Sequence, residues 1–446
     1  MIVNPEYRHI KMPFKVAANN SQIREYILTP RSKLTKSDKE VSSDSVFQRT
    51  AISKEVNSKL SFYKKRNFLH MLNYMFFHMG MGVYVMIKDN QVAMFVPFAN
   101  MGFKNNWSDS IRFKRGIHNI DEFNKKHNIR DKVFVDPEKW TANNCLIGNQ
   151  KARNGWPFSA GRLITMKRLL DELCKKHTIK DVEFFLNKRD FPVLKKDLTE
   201  PYHHIVNSKE KQLKQHRYDS YIPIFSMCSS PEYADIMFPT DDDISLYFNQ
   251  GSLKDFDKIK KPKWETKQNI AMFRGTATGC GVTPKDNQRL KLAKLSKKLD
   301  SLDAKITSWN RRPKKIMGGP VDIIDPESLS FSLGGKVSLA EQMKYKYLVQ
   351  VDGHVAAFRL SWMLQSGSTI LMVKSWDDLQ IWFQPMMKPW KHYVPIKANL
   401  SDLKEQLEWC QNNDSECKKM AENCQKLYEK YAKRSLDYLS FVLNKL

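Results

Sequence analysis

The stretch NIAMFRGTATGCGVTPKDNQR (Asn269–Arg289) carries the fold assignment. Asn269–Phe273 is an apolar run of strand length, a turn with Gly275, Gly279 and Gly281 follows, and helix-compatible sequence runs from about Lys285 to Leu299. Apolar run, glycine-rich turn, then helix is the grammar of a strand-to-helix unit in a parallel sheet. Glycines there let backbone approach a ligand, Thr276 and Thr278 offer hydroxyls, and Arg274 and Arg289 can meet phosphate oxygens. The spacing is neither that of a P-loop nor GxGxxG. A plain structural turn and an anion-binding turn both fit the residues.

The same grammar returns downstream. Strand YLVQV (Tyr347–Val351) leads to a turn at Gly353, a helix predicted over Ala356–Gln365 with Arg359 one turn in, and a strand at Ser368–Val373. On that helix His354 and Phe358 fall on one side, with Arg359 adjacent. Two arginine-bearing turns in successive units predict a diphosphate held between helix N-termini. A long terminal helix is expected from about Leu400. Upstream, a helix at Ala160–His177 precedes a strand at Val182–Leu186, within DVEFFLNKRDFP (Asp181–Pro192), and another apolar run spans Tyr221–Met227. Asp190 stands at the carboxyl end of its strand, where open α/β sheets place ligands. Its residues fit ordinary strand punctuation and a carboxylate at a cleft equally. The lysine-rich KDFDKIKKPKW (Lys254–Trp264) reads as a link between two α/β lobes.

Composition sets the outer bounds. The chain of 446 residues, 41% apolar with 10 Trp, 25 Phe and 16 Tyr, has room for two or three domains and excludes a disordered protein. A net charge of +26 favours anionic partners. The lysines are spread along the chain, however, which suits a solvated basic surface better than a nucleic-acid groove. Seven cysteines without knot-like spacing argue for a reducing compartment. Cys410, Cys417 and Cys424 recur every seven residues, about 10.5 Å per step on a helix, so they read as a core-facing seam and not a metal site. The opening MIVNPEYRHIKMPF lacks the layout of a signal peptide, and the closing LNKL is no retention signal. The most apolar window, Phe68–Ile87, contains His70, Asn73, His78, Gly80 and Gly82. It reads as a helix ending near His78 followed by a hairpin, VYVMI then KDNQ then VAMFVPF. No membrane span is expected, and a cytosolic location is. The first 45 or so residues read as a loose polar arm.

Two polar clusters invite other readings. Asp241-Asp242-Asp243 resembles the carboxylate motif of metal-dependent sugar transferases, but acidic runs are more often solvated loops. His203-His204 invites a zinc reading, yet adjacent side chains diverge and no Cys/His set stands nearby. No metal is expected at either.

Taken in order, several blocks resemble glycosyltransferase family 90, the protein O-glucosyltransferase and O-xylosyltransferase group with its capsule-associated fungal relatives. NKRDFP resembles the family's N-x-R-D-Y/F-P block. IPIFSMCSSPEYADIMFP (Ile222–Pro239), WETKQNIAMFRGTATG, KYKYLVQVDG with its following FR, and KPWKHYVPI (Lys388–Ile396) complete the series. The resemblance covers about Trp156 to the C-terminus. It implies an α/β protein of GT-B type, two Rossmann-like lobes with a cleft between them. The domains would be an N-terminal α+β extension (1–150), a first lobe on the acceptor side (151–262) and a second lobe binding a UDP-sugar (263–446). By position it implies Asp190 as general base in an inverting, metal-independent transfer. It also implies Thr276, Ala277, Thr278 and Arg289 as one donor-binding block and His354, Val355, Ala356, Ala357, Phe358 and Arg359 as the other, with Arg359 clamping the diphosphate. The donor would be UDP-glucose or UDP-xylose, the acceptor a hydroxyl on protein or glycan. Departures are a longer turn between Thr278 and Arg289 than in the animal enzymes, Ala357 where many members carry serine, and none of the secretory features of those enzymes. That profile suits a cytosolic enzyme such as the relatives encoded by large DNA viruses. The competing readings are a non-catalytic basic nucleic-acid-binding protein and a degenerate transferase kept as a glycan-binding module.

Overall fold

In the computed structural model the described residues are 71, 74, 75, 79, 81–99, 111–128, 160–197, 222–316 and 319–446. The polar N-terminal arm, the His203-His204 pair and most of the helix expected to end near His78 lie outside them.

Strands β1 (Met81–Lys88) and β2 (Gln91–Ala99) form an antiparallel hairpin. Its turn residues, Asp89 and Asn90, both take positive φ, 51° and 56°. That two-residue geometry matches strand twist, and Asp and Asn tolerate it. Asn90 then anchors the hairpin tip, donating to Cys174 O and accepting from Ile179 N, both at 2.8 Å. Helix α1 (Ile120–Lys126) is capped by Asn119. Its segment lies against the second half of the chain, where Val321 N–H donates to Arg112 O at 2.9 Å. Helix α2 (Ala160–Lys176) leads into β3 (Val182–Leu186), every residue of which is buried. β1 pairs antiparallel with β3, and β3, β4 (Ile224–Ser226) and β5 (Ile236–Met237) run parallel, giving the order β2-β1-β3-β4-β5. Alternating strands and helices predicted a parallel sheet; this one is mixed. It also draws strands from both sides of residue 150, because β1 is apolar on both faces and must be covered on both.

After α3 (Asp241–Phe248) the chain builds a second sheet from β6 (Gln268–Thr276), β7 (Leu302–Ser308), β10 (Tyr345–Gln350), β11 (Thr369–Val373) and β12 (Tyr393–Ile396). The pair β8 (Lys314–Ile316) and β9 (Gly319–Asp322) forms a separate small ribbon. The large sheet is wholly parallel in the order β12-β11-β10-β6-β7. From β6 the chain moves one way, to β7; from β10 it moves the other, to β11. Between those two central strands a crevice therefore opens at their carboxyl ends, the position where such sheets bind ligands.

The helices of this half are α4 (Gln288–Leu295), α5 (Leu339–Gln342), α6 (Leu360–Met363), α7 (Leu403–Asn412), α8 (Asp414–Leu427) and α9 (Ser435–Leu443). Three differ from expectation. α4 begins at Gln288 because Asp286 closes a turn on the amides of Val282 (3.2 Å) and Thr283 (2.8 Å) before Asn287 caps the helix. The helix expected over Ala356–Gln365 shrinks to four residues. Asp352 Oδ1 takes the Ala357 amide (3.2 Å), and Gln350 Nε2 donates to the Ala357 carbonyl (2.7 Å), which keeps only a long 3.4 Å bond from Leu360 N. The terminal helix divides into three, with a π turn at Tyr428–Ala432. Cys410, Cys417 and Cys424 are fully buried along it.

The last piece, α9, does not stay with the parallel sheet. Leu436, Tyr438, Leu439, Phe441, Val442 and Leu443 are all buried, so the helix needs cover on nearly every side. It finds it against α2. Asn444 bonds Lys180 N and Thr178 O (both 2.9 Å), and Tyr438 donates to Met237 O at 2.6 Å. Among the described residues no helix is long and apolar enough to cross a membrane.

Lys267, in the WETK segment, is buried just before β6 and donates to Met343 O, Ser366 O (3.1 Å) and Ser368 Oγ (2.9 Å). It ties together the strand starts and the helix ends below the sheet. Burial pushes its amine from the usual 10.5 down to about 8. The unfolded chain thus holds the proton more tightly, and this group makes the fold gain stability as pH rises from about 8 to about 10.5. Lys267→Met leaves three acceptors unsatisfied and should cost about 1–3 kcal/mol at neutral pH. Chemical denaturation across pH should also show the alkaline gain in the wild type and not in the variant.

Candidate active site

The crevice between β6 and β10 is closed at its base by two turns in contact. A Cβ on Gly353 would lie 2.6 Å from Thr278 Oγ1, and one on Gly279, whose φ is +104°, would lie 3.3 Å from Gly353 O. Both positions therefore need glycine. The Gly279 amide points at His354 Nδ1, 3.4 Å away. Ala277 is buried with its amide on Ser308 O (2.9 Å), and Thr276 Oγ1 shares a 2.8 Å hydrogen bond with Ser308 Oγ. Asn287 reaches back to Thr278 O at 3.2 Å.

Into this frame come two arginines from opposite sides. Arg289, in the first turn of α4, laces both strand ends: Nε to Asp352 O (2.8 Å), Nη1 to Thr276 O (3.0 Å) and Nη2 to Val351 O (3.2 Å). Arg359, just before α6, donates from Nη1 to Arg274 O at 2.7 Å. Both guanidinium groups lie over the Phe273 ring, 5.7 and 5.3 Å from its centroid. They converge on Gly275, where a Cβ would sit 3.4 Å from Arg289 Nη1 and 3.3 Å from Arg359 Nη2. Burial, then the neighbouring Arg359, pulls Arg289 down to about 9, and burial lowers Arg359 also. Among the described residues the arginine–carboxylate pairs are Arg162–Asp241, Arg274–Asp303 and Arg434–Asp437. Neither crevice arginine is in one. Two cations, Arg289 buried and Arg359 partly buried, facing each other without an ion pair make a candidate anion site.

Arg274 is a correction to the expectation from sequence. Strand alternation turns it away from Phe273 and Gly275, and it pairs with Asp303 on β7 at 2.6 Å. The anion site also owes little to helix N-termini, contrary to expectation. α6 is a single turn, and the first amides of α4 are taken by Asn287 Oδ1 (3.0 and 3.1 Å). Charge here comes from guanidinium groups. In the second turn Val355, Ala356 and Ala357 are buried, and Phe358 packs on the core. His354, Thr278 and the half-exposed Trp376 line a narrow cleft that continues past the turns.

Asp190 lies across from this site, after β3. Asn187 builds its turn, donating to Phe191 O (2.6 Å) and Ser226 Oγ (2.9 Å) while accepting from Arg189 N (2.8 Å). The Arg189 guanidinium donates to Met79 O at 2.6 Å and lies over Phe191. Beyond Pro192, Asp235 clamps the amides of Val193 (2.9 Å) and Leu194 (2.8 Å). Asp190 O accepts from Cys228 Sγ at 3.2 Å, and the amide of Ala356 lies close to the same sulfur. The candidate base and the second arginine turn are thus joined through one side chain.

Four carboxylates were not read correctly, or not read at all, from sequence. The Asp241–Asp243 run is not a solvated loop. It forms the first turn of α3, capped by Thr240 in a reciprocal capping box, between the two sheets. Asp241 pairs with Arg162 and sits in the field of Asp190; Asp242 is the carboxylate acting on Arg359; Asp243 accepts from Trp382 Nε1 at 3.0 Å. Thr240 followed three residues later by Asp was the available signal. Asp352, in the crevice, is raised to about 6 by burial. Its Oδ2 is buried and unbonded among the described residues.

Comparison with known proteins places the chain in a family. The family model described as Glycosyl transferase family 90 matches residues 158–445. Uncharacterized protein 035R of Invertebrate iridescent virus 3 is 37% identical over 397 residues, covering 84% of this chain and 36% of the relative. Uncharacterized protein 179R of Invertebrate iridescent virus 6 is 35% identical, covering 85% of this chain and 37% of the relative. Protein O-glucosyltransferase 3 of Mus musculus is 32% identical over 283 residues, 60% of this chain and 48% of the relative. The chain thus spans roughly a third of the viral relatives' length and about half of the mouse protein's. With most of its described length matched in sequence order, the chain belongs to glycosyl transferase family 90.

Proposed function

We propose that the chain is an inverting glycosyltransferase that moves glucose or xylose from a UDP-sugar to a hydroxyl of a protein or glycan. Family membership implies a nucleotide-sugar donor and a GT-B-like fold. The observation that carries the finer reading is the pair of buried guanidinium groups over Gly275, joined through Ala356 and Cys228 to Asp190. In this reading residues 263–446 supply the donor side and the β3–β5 segment within 151–262 the acceptor side. The relatives named protein O-glucosyltransferases support glucose as the sugar.

The steps follow from charge. The diphosphate sits on Arg289 and Arg359, with Thr278 and His354 lining the way to the nucleoside and Trp376 at the rim. Asp190 takes the proton of the acceptor hydroxyl as its oxygen attacks the anomeric carbon. The bond from that carbon to the diphosphate breaks on the far side, and UDP leaves with an added negative charge. The two arginines, already held by backbone carbonyls, meet that charge without reorganising. The reading requires no cation, since the guanidinium groups supply the positive charge.

Three outcomes test it. Asp190→Asn should lower UDP release from UDP-glucose by about 10²–10⁴-fold while calorimetry finds UDP affinity nearly unchanged. Arg359→Ala should weaken UDP binding by about 2–4 kcal/mol, because it removes one of two buried charges from the diphosphate. Ionised Asp352 beside the diphosphate opposes binding, so bound donor raises its pKa and is accompanied by proton uptake. UDP-glucose should therefore bind more tightly as pH falls through about 6, and Asp352→Asn should flatten that dependence. A chain that binds nucleic acid with steep salt dependence and shows no saturable UDP site would overturn the transferase reading.

A further inference from the structure

Cys228 is completely buried two residues beyond β4, in a position the donor and acceptor readings leave without a task. Its Sγ–H donates to Asp190 O at 3.2 Å, and the amide of Ala356, in the middle of the His354–Arg359 turn, lies close to the same sulfur. Burial, with Asp190 second, raises the thiol well above its usual range. It therefore remains protonated and keeps its capacity to donate.

The neighbours show that this contact belongs to a bracket. Ser229 exchanges two backbone hydrogen bonds with Gln380, at 3.0 and 2.8 Å, which cross from the first sheet's segment to the second's. Ser229 Oγ donates to Asp235 O at 2.9 Å, and the Asp235 carboxylate holds the amides of Val193 and Leu194 and the hydroxyl of Ser226 at 2.5 Å. The chain after Asp190 is thus clamped by Asp235. The link from the Asp190 residue itself to the donor-side turn runs through Cys228.

We propose that Cys228 is a positioning residue that sets the distance between Asp190 and the donor-binding turn. This rests on the transferase reading above. A bridging sulfur spans two backbone groups that belong to different sheets, one on the base and one on the turn carrying Arg359. Deleting it frees Asp190 to drift from the donor while leaving Arg289, Arg359 and Gly275 in place. Serine keeps the donor and acceptor character, with shorter preferred contacts of about 2.7–2.8 Å to oxygen.

The test uses the full chain with UDP-glucose, water serving as acceptor: water oxygen bonds to the anomeric carbon, its proton passes to Asp190, and UDP departs. Cys228→Ala and Cys228→Ser are compared for UDP affinity, turnover and melting temperature. The expected result is UDP affinity within about twofold of wild type in both. Turnover should fall at least about tenfold in Cys228→Ala and recover to within about threefold in Cys228→Ser. Turnover of Cys228→Ala within about twofold of wild type, per folded molecule, overturns the proposal. So does a parallel loss of turnover and UDP affinity, which would make the residue a support of the donor site. If Cys228→Ala does not fold, Cys228→Val decides, because it keeps apolar volume and removes the hydrogen-bonding group: turnover within about twofold of wild type at unchanged UDP affinity refutes positioning. Wild-type protein that neither binds UDP nor releases it from UDP-glucose would instead refute the transferase reading itself.

Discussion

The structure is organised around two guanidinium groups that should not be comfortable together. Arg289 and Arg359 converge over Gly275; burial weakens the hold of both on their protons, and Arg359 weakens that of Arg289 further. What keeps them there is a set of dipoles: the carbonyls of Thr276, Val351, Asp352 and Arg274, and the face of Phe273. Dipoles orient a cation without cancelling its charge. Two carboxylates offset part of it through space without an ion pair: Asp352 acts on Arg289 and Asp242 on Arg359. Neither guanidinium group is in an ion pair among the described residues, which is what the proposed diphosphate site requires. Glycine at 275 and 353 follows from the same constraint, because a side chain there would occupy the space the arginines need.

In the proposed reaction a base must face this charge at fixed range. Continuous packing across the two sheets would hold it there. One body of buried apolar residues includes Phe184 and Phe225 from the first sheet, Leu348 and Ile370 from the second, and Tyr438 and Leu439 from α9. Polar links add direction to it: Asp243 to Trp382, Ser229 to Gln380, Cys228 to both Asp190 and Ala356. The C-terminal helix, although it follows the parallel sheet in sequence, packs on the first sheet's layer and ties the two halves together.

How far the site could be read from residues alone differs by position. The turn after β6 was legible because a glycine-rich break between an apolar run and a helix is a local signature. Asp190 was legible as a strand-end carboxylate, and its turn is built by Asn187, only three residues away. Arg274 and Arg289 looked equivalent in the sequence, and only one faces the crevice. Arg274 lies within β6, one residue out of phase with Phe273, whereas Arg289 reaches back from the next helix. The Asp241–Asp243 run was judged by composition, which carries no information about burial. Cys228 had no local signal at all, since its two partners are 38 and 128 residues away.

The sequence by itself determined the units: which runs are strands, where glycine breaks them, and which residue types stand at the strand ends. Those properties depend on neighbours within a few residues, through strand alternation, turn chemistry and capping. The tertiary structure alone decided sheet order, the capture of the β1–β2 hairpin and of α9 by the first sheet, and the meeting of Arg289 with Arg359. Each of these depends on surfaces distant in the chain being buried against one another, and the burial of an apolar face does not record in its own sequence which partner will cover it.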